Sequence, residues 1–121
     1  MMVLNLIWVF SPGGERVLMC KRHKEPYLGL YNLVGGKVEP GEVGVVAALR
    51  ELEEETGIRA ADLTGELHHL MDFVYYSSGL FEVPPAGVRV EVYVGRLARD
   101  VSVGATSANW FGWMWIVIFG I

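Results

Sequence analysis

Between Gly35 and Ile58 the chain reads GGKVEPGEVGVVAALRELEEETGI, where six glutamates (Glu39, Glu42, Glu51, Glu53, Glu54 and Glu55) accompany one lysine and one arginine. Val45, Ala48, Leu49 and Leu52 recur at three- and four-residue spacing, so a helix from Val43 to about Thr56 can turn one stripe to a core and its charges outward. Pro40 and Gly41 precede it, Glu42 is expected in its first turn where the helix dipole favours an anion, and Gly57 is the expected left-handed cap. On this helix Glu51, Glu54 and Glu55 stand at i, i+3 and i+4 and project from one face. Like charges so placed repel by roughly a few tenths of a kcal/mol per pair. Arg50, which pairs with Glu54, is nearly the whole compensation available in the sequence. A hard divalent cation would relieve the rest: oxygen ligands select Mg2+ or Mn2+, and Mg2+ is usually held by a carboxylate or two together with waters and substrate phosphates.

Three glutamates at this spacing are, by themselves, more simply a solvated acidic face. The Gly35-Gly36 loop, which can bring backbone carbonyls near a cation, and Lys37, which can meet a phosphate, shift the balance toward a metal site. A calcium EF-hand is excluded, because the acids lie on a helix and no aspartate-rich loop is present.

The 121 residues support one core, hence a single domain spanning 1–121. Residues 3–10 and 16–22 flank the turn Ser11-Pro12-Gly13-Gly14 and are expected to form a hairpin-like pair of strands. Residues 30–34 are a short apolar run stopped by Gly35-Gly36. Residues 66–76 and 88–97 are strand-like, joined by a loop around Ser77-Ser78-Gly79 and Pro84-Pro85. The expected class is α/β of the α+β type, a mixed sheet packed against helices.

A net charge of -4 and a pI near 5.3 argue against a nucleic-acid polymer as partner, since phosphate-backbone contacts need a basic stripe. Cys20 is the sole cysteine, which excludes an intramolecular disulfide and points to a buried thiol in a reducing cytoplasm. The opening MMVLNLIWVF lacks a basic leader and a cleavage site and reads as a buried strand. The end, WFGWMWIVIFGI at residues 110–121, is too short for a bilayer span, which needs about 20 apolar residues, so no membrane partner is expected.

Residues 36–58 resemble the Nudix box, G-x5-E-x7-R-E-U-x-E-E-x-G-U, at every defined position: Gly36, Glu42, Arg50, Glu51, Leu52, Glu54, Glu55, Gly57 and Ile58. The order of elements is similar to the Nudix fold through about residue 97. The resemblance implies a Mg2+-dependent (or Mn2+-dependent) pyrophosphohydrolase acting on a nucleoside diphosphate linked to another moiety, a small-molecule nucleotide substrate. It implies Glu51, Glu54 and Glu55 as metal ligands, with the Gly35 or Gly36 carbonyl as a further one. Arg50 would orient a box glutamate, and Glu42 and Gly57 would support the loop and helix. The general base would be Glu54 or Glu51, since no glutamate follows Glu91, which itself reads best as a solvent-facing strand residue.

Lys21, Arg22, His23 and Lys24 close the second strand as a basic cluster able to grip phosphates, with Arg22 the chosen contact, although a plain strand end would look the same. His68 and His69 are read as structural. The stretch YNLVGGKV has Tyr31 and Val34 where the family commonly has tryptophan and proline, and it is similar to the W-N-G-F-G-G-K-V form of the branch acting on oxidised purine nucleoside triphosphates. There the asparagine matching Asn32 would read a base edge; a turn-satisfying amide is the equal alternative. Tyr76 falls where dinucleoside polyphosphate hydrolases of the family carry a tyrosine, and that substrate is the alternative. A Nudix-like binding module without catalysis is a third reading, disfavoured because no box glutamate is missing.

Asn109-Trp110-Phe111-Gly112-Trp113 resembles the family's last strand, but MWIVIFGI shows no helical amphipathicity where a second helix is usual. The expectation is an altered C-terminus whose apolar tail enters the core or covers a partner subunit, a homodimer being the natural case.

Overall fold

The computed structural model describes residues 1–22, 31–76, 86–101 and 111–117. Strand β1 (Met2–Phe10) is its axis. Its side chains alternate: Asn5, Ile7 and Val9 are buried on one face, while Leu4, Leu6 and Trp8 are half-buried on the other. A central strand with two apolar faces needs neighbours on both edges and layers on both sides.

One edge of β1 pairs in parallel with β6 (Val88–Arg96) along its whole length, from Met2↔Val88 to Phe10↔Arg96. The other edge is shared. Leu4 to Ile7 pair antiparallel with β4 (Val34–Lys37), and Phe10 meets Val17 of β2 (Arg16–Arg22). The expected hairpin is therefore joined at its turn and then splays, because β4 takes the place beside β1. Freed from β1, β2 pairs along its length with β7 (Phe111–Val117), from Arg16↔Val117 to Arg22↔Phe111, and at Cys20 and Lys21 with the short β3 (Tyr31–Asn32). Strand β5 (His68–Tyr75) closes the far side against β6, giving the path β3-β2-β1-β6-β5.

The expectation that Gly35 and Gly36 stop a strand is not met: they lie inside β4, opposite Leu6 and Asn5. Both are needed there without side chains. A Cβ on Gly35 would collide with the Asn5 carbonyl, and one on Gly36 with the Glu51 carboxyl.

Helix α1 (Gly44–Thr56) crosses the sheet with Ala48 and Leu52 fully buried, and Val45 and Leu49 packed against the same core as Ile7, Val9, Leu18, Val34 and Tyr93. Gly57 ends it at φ 81, its N–H bonded to the Glu53 carbonyl, as the sequence predicts. A 3-10 turn (Ala60–Asp62) follows. On the opposite sheet face Val88, Val90 and Val92 form a second apolar cluster with Leu4, Leu6, Trp8 and Tyr75.

Part of the apolar tail is accounted for by β7, where Trp115 packs against the main core and the Arg16 guanidinium lies 5.5 Å from its ring centroid. The loop at Ser77-Ser78-Gly79 and Pro84-Pro85, residues His23 and Lys24, and Asn109-Trp110 fall outside the described residues. Among those described, no helix is long and apolar enough to cross a membrane.

Candidate active site

The box residues converge on one guanidinium. Arg50 Nε and Nη2 donate to the two Glu42 carboxylate oxygens at 2.8 and 3.0 Å, a forked pair. Its Nη1 donates to Glu51 at 3.0 Å and Glu54 at 3.2 Å, and Nη2 also reaches the Lys37 carbonyl at 3.2 Å. One arginine thus ties the end of β4, the following loop and two turns of helix.

Glu42 is not in the first helical turn, contrary to the sequence expectation. Val43 is the N-cap, and Glu42 stands outside the helix because its carboxylate is occupied by Arg50 and accepts the Glu39 N–H at 3.1 Å. The Arg50 bond, then that backbone bond, hold its pKa below the usual carboxylate range.

Glu51 rests over Gly36 with its side chain only 14% exposed. Burial raises its pKa, and Arg50 works against that rise. Glu55 is pushed up to about 7, first by burial and then by the Glu51 charge, a hydrogen bond from the Gly35 backbone offsetting part. Glu54 is the exposed member, at 59%. Among the described residues no three His, Cys, Asp or Glu side chains already converge on one point, because Glu51 and Glu54 lean on Arg50. The donors still fit a hard divalent ion. They are all oxygens, the glycine floor leaves room for a carboxylate to approach the backbone, and two of the three acids are held in an environment that disfavours their charge until a cation arrives.

Two hollows border this centre. A cleft of about 480 Å³ is lined by Lys37, Glu42, Gly44, Arg89 and Glu91. The other, about 330 Å³, lies over Gly35 and Gly36 and is walled by Leu4, Leu6, Asn32, Phe73 and Tyr75. Asn32 is exposed and its Oδ1 accepts the Leu33 N–H at 2.9 Å, the turn-satisfying bond that was the alternative reading. Tyr75 lines this hollow; Tyr76 lies just beyond β5, exposed and outside both linings. Arg22 ends β2 opposite Phe111, and its side chain is not among those described.

Sequence reasoning missed the polar residues that β1, β5 and β6 bring to the helix-facing side of the sheet. Glu91 is not solvent-facing: its side chain is 12% exposed beside Gly44, it accepts from the Tyr93 hydroxyl at 3.3 Å, and Arg89 lies 3.6 Å away. Burial and the Glu91 charge push the Tyr93 hydroxyl up to about 12. Asn5 is fully buried; its side-chain Nδ2 has no hydrogen-bond partner among the described residues, while its Oδ1 accepts the Gly36 N–H at 2.9 Å. An amide in an otherwise apolar run was the visible signal. His69 pairs with Asp72 and stacks on Tyr93 at 4.8 Å, brought to the same face by a bulge between His69 and Met71.

The model of the NUDIX domain matches residues 4–112. The chain belongs to the NUDIX family. A Bacillus subtilis (strain 168) protein provisionally named an 8-oxo-dGTP diphosphatase is 47% identical over 48 residues, 40% of this chain and 30% of that protein. An ADP-ribose pyrophosphatase of Methanocaldococcus jannaschii is 44% identical over 44 residues, 36% of this chain and 26% of its own. These matches thus span less than a third of either relative. Among solved structures, a C. elegans Ap4A hydrolase binary complex superposes with a TM-score of 0.74 at 22% identity, covering 97% of this chain and 80% of that one. The NUDIX domain of Shewanella oneidensis NrtR, complexed with ADP ribose, gives 0.73 at 17%, covering 98% and 73%. At such identity the structures speak for the fold, which this NUDIX chain shares.

Proposed function

We propose that this chain is a Mg2+-dependent pyrophosphohydrolase that converts an oxidised purine nucleoside triphosphate to the monophosphate and pyrophosphate. The observation that carries this reading is the Glu51 carboxylate set over Gly36, with Glu54 and Glu55 one turn along and Arg50 locking the loop to the helix. Glu51, Glu54, Glu55 and the Gly36 carbonyl would hold Mg2+ or Mn2+. The chemistry supplied there is polarisation of the phosphoryl oxygens and acidification of the attacking water. Glu54, the exposed acid, would serve as general base toward the attacking water, with Glu51 the alternative. Arg50 orients both, Glu42 anchors Arg50, and Lys37 at the cleft mouth meets phosphate together with Arg22.

The hollow over Gly35 offers aromatic and aliphatic walls for a base and the Asn32 amide for its edge, in keeping with the 8-oxo-dGTP name of the Bacillus subtilis relative. A dinucleoside polyphosphate is the second reading: the cleft carrying Lys37 and Arg89 lies on the other side of the same centre, where a second nucleotide would extend, and Tyr76 stands exposed for stacking. The buried Cys20 suits a reducing cytoplasm. We assign the exposed β5 edge to a homodimer interface.

Incubation with oxidised and normal triphosphates, dinucleoside polyphosphates and ADP-ribose, with Mg2+ and with chelator, decides between these. Pyrophosphate and monophosphate from a triphosphate support the first reading, and a nucleotide pair from the dinucleoside compound supports the second. Tight binding without turnover would make the chain a binding module. Glu54→Gln is expected to abolish turnover at saturating Mg2+ with the fold intact; wild-type rates in that variant would remove the metal reading.

A further inference from the structure

Asn5 is 1% exposed in the middle of β1, between Leu4 and Leu6. Its Oδ1 accepts the Gly36 N–H, but its Nδ2 has no hydrogen-bond partner among the described residues. A buried donor left unpaired destabilises the fold, a cost that a valine at the same place would avoid. The residue is also where two backbones press together, since a Cβ on Gly35 would strike the Asn5 carbonyl.

Its position in the sheet gives the amide a direction. Gly36, Asn5 and Glu91 are register partners across β4, β1 and β6 and share the face that α1 covers, and the Glu51 carboxyl lies directly over Gly36. The amide is planar. With Oδ1 committed to Gly36, Nδ2 is left as the unpaired donor on the sheet face that Glu51 and Glu91 border.

We propose that Asn5 is a positioning residue for the cation cradle. Its Oδ1 fixes the Gly36 peptide beneath the Glu51 carboxylate, and its Nδ2 donates to a Glu51 oxygen once a cation draws that carboxylate off Arg50. The unpaired donor of the metal-free chain is thus a bond completed on loading. The inference rests on the cation reading above, and it adds a residue outside the box that acts through a ligand.

The test has two independent arms. In wild-type protein titrated with Mg2+, the Asn5 side-chain NH2 resonances are expected to shift and their exchange with solvent to slow. In Asn5→Leu, Mn2+ affinity by calorimetry is expected to fall about 10- to 100-fold, the range for residues that orient metal ligands, and kcat to recover when Mg2+ is raised. The metal-free Gly36 amide, which loses its acceptor, should exchange faster. Asn5→Thr, which keeps a hydroxyl acceptor, is expected to fall between the two. Unmoved NH2 resonances on Mg2+ saturation, or a lowered Tm with unchanged Mn2+ affinity in either variant, would overturn the proposal and leave the cation reading standing. No cation uptake by the wild type would overturn both.

Discussion

At Glu55 burial and like charge act in the same direction, and the consequence is a pH-dependent stability. Its ordinary pKa is 4.5 and in the folded chain it is pushed up to about 7. The folded state therefore keeps a proton that the unfolded chain has already released. The contribution of Glu55 is complete below about pH 4.5 and is lost as pH rises through about 7. The Tm of chelator-treated protein is expected to fall across that window, Glu55→Gln to flatten the slope, and Mg2+ to restore stability at its upper end; a flat profile would show that Glu55 is not buried as described. The adjacent glycines allow a paired comparison. In Gly36→Ala the obstacle is the end of the Glu51 side chain, so the fold is expected to survive while Mn2+ affinity drops at least tenfold. In Gly35→Ala the obstacle is the Asn5 backbone, so urea titration should show a loss of about 1–3 kcal/mol. Equal stability of the two variants would contradict this assignment.

Helix α1 was legible because its signals are local: the apolar spacing, the flanking Pro40-Gly41 and the Gly57 stop all operate within a few residues. Its first turn was misjudged because Glu42 answers to Arg50, eight positions on, rather than to the helix dipole. The last turn holds a polar knot that no periodicity reveals. Thr56, fully buried, donates through Oγ1 to the Leu52 carbonyl at 2.6 Å and accepts the Ile58 N–H at 3.1 Å. Thr56→Val keeps the shape and strands that N–H, so denaturant unfolding is expected to show a loss of about 1–3 kcal/mol, with Thr56→Ser retaining most of it. A neutral Thr56→Val would mean that another acceptor serves Ile58.

On the scale of the whole molecule, β5 is the last strand of the sheet path, with Leu70, Met71, Phe73 and Val74 all at least 41% exposed. An apolar edge without lysine or proline invites a further strand. A second β5, run antiparallel about a two-fold axis between Leu70 and Met71, sets His69 opposite Asp72 of the partner and places Phe73, a wall of the hollow over Gly35, near the interface. Sedimentation is expected to report a dimer that Leu70→Lys converts to a monomer; a wild-type monomer at all concentrations would exclude it. Within the tail 110–121, expected to be altered relative to the family, residues 111–117 join the sheet as β7 beside β2. The sequence by itself determined the box, the helix and its cap, since each depends on spacing along one stretch of chain. The tertiary structure alone decided that β4 displaces β2 from β1, that Gly35 and Gly36 lie within a strand, and that Asn5 and Glu91 face the helix. Register between distant strands is set by which backbones can approach and which faces are buried, and neither is written in local periodicity.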